Sequence, residues 1–345
     1  MSRVPARLLF LALAALLAFP PLGAAQMTRG AISGTVRDAT GALVPGASVT
    51  VTNHDTNQGR SAVSDVNGFY RVPALEPGSY KVRTELTGFQ TVEKLDVRLV
   101  AATEVTLNVD LKVGGLGEAI TVVGKGDAIE LNKTSAVVGT TTMARQVVEL
   151  PLAANRDINN LIAVGPNVVR TGGQGTYAAA GQRSRNNNYM IDGSDNNDMS
   201  VTISTSQVVP EAVAEFQVMT NQYSVDFGRN TGAQVNVITK SGSNSFHGEA
   251  WDYYRTSDLY SLTNVQKTQG LTEVPGVTRH QAGASLGGPI IKDKTFFFAL
   301  YQYDGNRPDP QPGALTLMPT QAGFAALQNV PLRAGQSAAS RQAVL

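Results

Sequence analysis

The stretch GGPIIKDKTFFFALYQYDG, residues 287–305, sets the tightest constraint on what this chain can fold into. Successive side chains of a β-strand face opposite ways, so a strand at a protein surface normally has one apolar face and one wet face. Here Phe296, Phe298 and Leu300 fall on one face, while Phe297, Ala299, Tyr301 and Tyr303 fall on the other. Both faces are apolar or aromatic, so the strand is either buried on both sides or meets lipid on one. Beyond Gln26 there is no run of roughly 18 apolar residues, the length that marks a spanning helix. Any membrane role therefore belongs to strands or to the membrane surface.

The start of the chain bears on compartment. Arg3 and Arg7 precede an apolar run from Leu8 to Phe19, followed by Pro20, Pro21 and the small residues Gly23, Ala24 and Ala25. That layout predicts a signal peptide over residues 1–25, cleaved after Ala25, and hence export. The absence of cysteine excludes a disulfide framework, thiolate metal sites and cysteine catalysis. With 28 basic and 27 acidic residues the net charge is +1, and neither sign runs in a block. Binding to nucleic acid rests on clustered Lys and Arg neutralising phosphates, so nucleic acid is not an expected partner.

Alternation then divides the chain. Val105, Leu107, Val109 and Leu111 alternate with polar residues, as do Tyr80, Val82, Thr84 and Leu86, which predicts half-buried strands. Turn signals at ATG (39–41), VPG (44–46), VNG (66–68), EPG (76–78) and TGF (87–89) separate them. Residues 26–112 are therefore expected to form a β-sandwich. In the glycine-flanked segment 113–133, Ile120, Val122 and Val123 form a short strand without an obvious partner, suited to adding to another protein's sheet edge; a simple linker is the alternative. Residues 134–240 mix helix and strand. A helix is expected over Thr142–Leu150, stopped by Pro151, and a second over Arg156–Ala163, capped by Asn155. Strands are expected again in 241–345.

The regions GTVRDATGALVPGASVTVTN and SDVNGFYRVPALEPGSYKVRTELTGFQ resemble the carboxypeptidase-regulatory-like, transthyretin-like domain, a non-catalytic module. The later order NRDINNLIAVGPNV, GQRSRNNNYMIDGSDNND, VPEAVAEFQVMTNQYSVDFGRNTGAQVNVITKSGSNSFHG and LGGPIIKDKTFFFALYQY resembles the plug and first barrel strands of Oar-like TonB-dependent outer-membrane transporters. The resemblance implies a mainly β architecture: a sandwich, an α+β plug domain over 134–240, and the first strands of an incomplete antiparallel transmembrane β-barrel from 241. It implies location in the outer membrane, contact with its lipid, and gated uptake of an extracellular substrate of unknown identity. It makes Glu118, Ala119, Ile120, Thr121, Val122 and Val123 resemble the TonB box, the strand that engages the energy-coupling protein TonB. It also makes Arg183, Arg185, Asn186, Asn188, Tyr189, Asp192, Asp195 and Asn196 candidate substrate contacts on plug loops. Trp251, Tyr253, Tyr301 and Tyr303 become candidates for interfacial girdles. Only 100 residues follow Ser245, against the roughly 22 strands of large transporters, so a fragment is expected. The alternative is an exported binding or adhesion protein built on the sandwich.

Motifs for chemistry are weak. GASLG (283–287) fits the pattern of a hydrolase elbow with Ser285 as nucleophile, but that elbow joins a strand to a helix, and glycine, proline and strand follow here. His54, His247 and His280 lack ligand spacing. An EF-hand loop opening at Asp192 needs Gly at its sixth position and Glu at its twelfth, where Asn197 and Ile203 stand. Local Asx turns are the expectation for Asp192–Asp198, with calcium as the minority alternative. The chain is read as non-catalytic, with no cofactor.

Overall fold

The computed structural model describes residues 28–308 except 115–118, 124–136, 151, 153–154, 172–175, 201–202, 224–226, 228–229, 269–270 and 275. The expected signal peptide and Glu118 lie outside the described residues. Among those described, no helix is long and apolar enough to cross a membrane. The chain divides into two compact units: residues up to 250 with 284–301, and 251–283 with those from 302.

The first part is a two-sheet sandwich. β1 (Gly30–Asp38) lies between β4 (Phe69–Leu75) and β7 (Glu104–Thr106), and also pairs with β8 (Val109–Leu111). The second sheet has the order β3 (Gly59–Val63), β2 (Ser48–Asn53), β5 (Gly78–Glu85), β6 (Thr91–Leu99) and β9 (Ala119–Val123). The expected alternation is present in β5, where Tyr80, Val82 and Thr84 are buried between the more exposed Lys81, Arg83 and Glu85; in β2, Val49 and Val51 are buried between partly exposed Ser48, Thr50 and Thr52. Ile32, Val36, Val49, Val51, Tyr70, Val72, Val82 and Leu99 form a single core. The Tyr70 hydroxyl donates to the Leu107 carbonyl at 2.7 Å, so even its polar tip is satisfied inside.

Turn chemistry fixes the connections. Asp38 Oδ1 accepts from the amides of Thr40 and Ala42 at 2.8 and 2.9 Å, while Gly41 supplies φ +88°. The Thr40 hydroxyl and these amides hold the Asp38 carboxyl below its ordinary range. Asp65 serves the VNG turn in the same way, accepting from the amides of Asn67 and Phe69.

The expected strand over 105–111 is broken in two. β7 and β8 both run parallel to β1, with Val105 opposite Ile32 and Val109 opposite Val36. Between them Asn108 Oδ1 takes the place of a backbone acceptor, receiving the Thr35 amide and hydroxyl, each at 2.9 Å. Gly34 sits opposite this break, where a Cβ would collide with the Leu107 carbonyl.

The central body is a mixed sheet of order β10 (Val138–Met143), β15 (Val213–Asn221), β16 (Gln234–Thr239), β13 (Asn188–Ile191) and β14 (Ser194–Asp195). β13 runs parallel to β16; the remaining pairs are antiparallel. A short hairpin, β11 (Val168–Arg170) with β12 (Tyr177–Ala179), stands beside it. The first expected helix is present but shorter, as α1 (Ala144–Glu149), with Gln146 Oε1 accepting the Met143 amide at 3.1 Å. Leu150, before Pro151, is already extended.

The second expected helix needs correction. It is a 3₁₀ segment, Ile158–Val164, capped by Asp157, whose side chain accepts from the Asn159 amide at 2.9 Å. Asn155 is not the cap, because Arg156 adopts φ 53° and cannot join the helix.

The last described strands, β17 (His247–Thr256), β18 (Val277–Ile291) and β19 (Thr295–Pro308), form a sheet in that order, with a short helix α2 (Asn264–Thr268) between the first two. Among the described residues this sheet is open.

Candidate functional site

Three places carry functional expectations. The first is β9. Ala119–Val123 is a strand, as its composition suggested, but it does have a partner within the chain. It pairs in parallel with β6, Thr91 opposite Ala119 through Leu95 opposite Val123. Gly114, ahead of the strand, is more than a flexible spacer. Gly114 donates its amide to the Gly88 carbonyl at 3.2 Å, and a Cβ at Gly114 would press into the Gln90 side chain.

The second place is the GQRSRNNNYMIDGSDNND segment on the central sheet. Arg183 and Arg185 are exposed around a short 3₁₀ turn, Ser184–Asn186. Asn186 is half-buried and donates to Gln182 Oε1 at 3.0 Å and to Thr231 Oγ1 at 3.3 Å. Asn188 and Tyr189 are buried in β13. Asn188 donates to Gln234 Oε1 at 2.8 Å and accepts from Asn197 at 2.7 Å. Burial pushes the Tyr189 phenol above its ordinary range.

The acidic residues of this segment turn inward on the chain itself. Asp192, at φ 51°, clamps Thr239 by accepting its amide at 2.8 Å and its hydroxyl at 2.7 Å. Asp195 accepts from the Asn197 amide at 2.9 Å, and Asp198 from the Ser200 amide at 2.8 Å. Asn196 exchanges two hydrogen bonds with the backbone of Ser206. Among the candidate residues Arg183, Arg185 and Asp195 are exposed, and Asp195 joins Asn186, Asn188, Asp192 and Asn196 in hydrogen bonds that fix the loops.

Sequence reasoning passed over the residue at the centre of this network. Asn187, fully buried, accepts the Ala233 amide at 2.9 Å and donates to the Tyr177 carbonyl at 2.6 Å. Gly232 lies so close that a Cβ there would strike Asn187 and the Asn186 carbonyl. The only signal was the run of three asparagines, which does not say which of them faces inward.

Glu215 and Gln217 were passed over as well. On β15 they alternate with Phe216 and Val218, which reads as a wet face, yet all four are buried. The turn after β6 covers them: Glu215 Oε2 accepts the Ala101 amide at 3.0 Å, and Gln217 donates to the Ala101 carbonyl at 2.9 Å. Arg98 stands 4.0 Å from Glu215. Burial raises the Glu215 carboxyl above its ordinary range, and the Ala101 amide and Arg98 oppose the shift. Beside this seam lies a groove of about 820 Å³, lined in part by Thr35, Phe69, Glu104, Thr140 and Met219.

The third place is the open sheet. On β18, Leu286 and Ile290 are exposed; on β19, Tyr301 is 74% exposed and Tyr303 55%. Residues of the opposite parity make polar contacts. Arg279 pairs with Asp304 at 2.5 Å, Gln281 donates to Asp304 at 3.1 Å, and the Trp251 indole donates to Gln302 at 3.2 Å. Trp251 thus shares a face with Gln302 and not with Tyr301 and Tyr303, because neighbours along a strand face opposite ways. Ser285 sits in the middle of β18, with no strand-to-helix turn to present it.

Comparison with known proteins agrees with this layout. Residues 31–112 match the family described as carboxypeptidase regulatory-like domain, and residues 238–341 the outer membrane beta barrel domain. The TonB-dependent transporter Oar of Myxococcus xanthus is 33% identical over 281 residues, covering 78% of this chain and 26% of Oar. The chain thus spans about a quarter of that relative's length. The siderophore receptor PirA from Acinetobacter baumannii superposes with a TM-score of 0.37 at 19% identity, over 48% of this chain and 24% of that one. PirA from Pseudomonas aeruginosa gives 0.34 at 18%, over 50% and 29%. A β-sandwich matching the regulatory-like family, strands matching the outer membrane barrel family, and 33% identity to Oar over 78% of this chain make the chain similar to a part of the Oar-like TonB-dependent outer-membrane transporters.

Proposed function

We propose that this chain contributes the periplasmic and gating parts of a TonB-dependent outer-membrane receptor that takes up an extracellular substrate. The observation that carries the proposal is the 33% identity to Oar, which extends over 78% of the chain and therefore reaches beyond any one block. In this reading the sandwich hangs in the periplasm and the segment 118–123 engages TonB. The central body over 134–240 is the plug, and β17–β19 belong to the barrel wall.

The geometry supports the last two roles. The open sheet has one face of exposed Leu286, Ile290, Tyr301 and Tyr303 and an opposite face that carries the Arg279–Asp304 pair. A barrel strand alternates in this way between lipid and lumen. In the central body Asn187, Asn188 and Asp192 fix the loops while Arg183 and Arg185 remain exposed at the surface. The two arginines are exposed candidates for substrate contact, and they suit an anionic or hydroxyl-rich substrate. The work assigned to the chain is binding and gating without catalysis.

The test is binding of the full chain to the periplasmic domain of TonB, measured with and without residues 119–123. Loss of binding on deletion is expected. Retained binding would remove the coupling role from this strand.

A further inference from the structure

The sheet order ends on β9, so one edge of that strand is hydrogen-bonded to β6. Its other edge pairs with no strand among the described residues. We propose that the sandwich is a presenting platform: β6 holds Ala119–Val123 extended, and TonB adds its own strand to the outer edge of β9. This rests on the reading of 118–123 as the coupling strand, and it gives the sandwich a task that the reading leaves open.

The chain is led to this position by specific bonds. Gln90 donates its amide to the Lys112 carbonyl at 2.8 Å, Gly114 donates to Gly88, and Phe89 forms an antiparallel bridge with Val113. These contacts tie residues 112–114 to the turn before β6, five residues ahead of β9. From there Ala119–Val123 continues along β6 in register for five successive pairs. A strand tethered this closely meets its docking edge at a high effective concentration. The parallel direction follows from the crossover: the chain leaves β6, passes through β7 and β8 in the opposite sheet, and returns.

A free peptide that pairs with a sheet edge must first be ordered, and that ordering opposes binding. A strand already extended on β6 has been ordered, and its outer row of N–H and C=O groups forms a template for one more strand. Side chains leave a sheet through its faces, not through its edge. Docking on β6 therefore leaves the backbone groups of that outer edge unpaired by any strand among the described residues. The required partner is an extended segment or edge strand with unpaired backbone groups.

The chain contains no cysteine, which gives a clean cross-linking test. Glu93→Cys with Thr121→Cys places thiols on directly opposed residues, and adjacent strands lie about 4.8 Å apart, within disulfide reach. Glu93→Cys with Val123→Cys is the out-of-register control. If the first variant misfolds, Leu95→Cys with Val123→Cys replaces it, again on opposed residues.

The full chain is oxidised, and its affinity for the periplasmic domain of TonB is compared with that of the same chain reduced. Presentation predicts selective cross-linking of the opposed pair. It further predicts an oxidised Kd no more than about twofold weaker than the reduced one, or tighter, because the docked state is the competent state. Loss of tenfold or more in affinity on oxidation, restored by reductant, would overturn presentation and show that β6 competes with TonB. Equal cross-linking of opposed and control pairs would overturn the docking itself. Failure of the coupling reading looks different: binding then survives deletion of residues 119–123, whatever the cross-link does.

Discussion

The sandwich and the open sheet use the same alternating strand code, and they place its apolar half in opposite surroundings. In the sandwich, Ile32, Val49, Tyr70 and Leu99 turn inward and are almost wholly covered. In the open sheet, Leu286, Ile290, Tyr301 and Tyr303 turn outward and are more than half exposed. Water tolerates scattered exposed apolar residues, but a contiguous band of them marks an interface. The contrast teaches that the sandwich covers its apolar half between its own two sheets, whereas the described part of the last sheet leaves its apolar half uncovered.

Substitutions can break this comparison. The largest effect is expected from Tyr70→Ala, which leaves a cavity in the sandwich and strips the Leu107 carbonyl of its buried donor. Truncation of a buried aromatic costs about 3–5 kcal/mol, and urea unfolding of the full chain should show a loss of that order. A loss below about 1 kcal/mol would mean that the core is not closed as described.

Ile290→Lys should have an effect that depends on the medium. In solution its 66% exposed position predicts a change within about 0.5 kcal/mol. Facing lipid, a lysine costs up to about 2–4 kcal/mol, depending on depth, so recovery in the outer-membrane fraction should fall. Unchanged recovery would remove Ile290 from the lipid-facing surface.

The smallest effect concerns the seam between sandwich and central sheet. The folded carboxyl of Glu215 has its affinity for protons raised by burial. Its contribution is therefore favourable below the ordinary carboxylate range and is lost as pH rises through that range toward the raised value. Glu215→Gln can still accept the Ala101 amide and cannot ionise. It should flatten the stability profile in that window and raise Tm slightly at neutral pH. A profile identical to that of the parent chain would show that the seam does not bury this carboxyl in solution.

Much of the sandwich was legible in the sequence because local rules agree there. Tyr80, Val82 and Thr84 alternate with Lys81, Arg83 and Glu85, and ATG and VNG lie where Asp38 and Asp65 can cap the turns. The break between β7 and β8 was not legible, since Val105, Leu107, Val109 and Leu111 alternate straight through it. It exists because Asn108 reaches across to Thr35, 73 residues away in sequence. The candidate loop was legible as a place but not residue by residue. Asn186, Asn187 and Asn188 are chemically identical, and only the neighbouring strands β13 and β16 decide that Asn187 is the buried clasp.

The sequence by itself determined the alternation of strands, the turn positions and the doubly apolar character of residues 296–303, because each depends on neighbours a few residues apart. The partner of Ala119–Val123, the burial of Glu215 and Gln217 under the Ala101 turn, and the side of the sheet that Trp251 shares were decided by tertiary structure alone. Each of those depends on which distant segment covers a face or an edge, and backbone hydrogen bonds and burial carry no label in the local pattern.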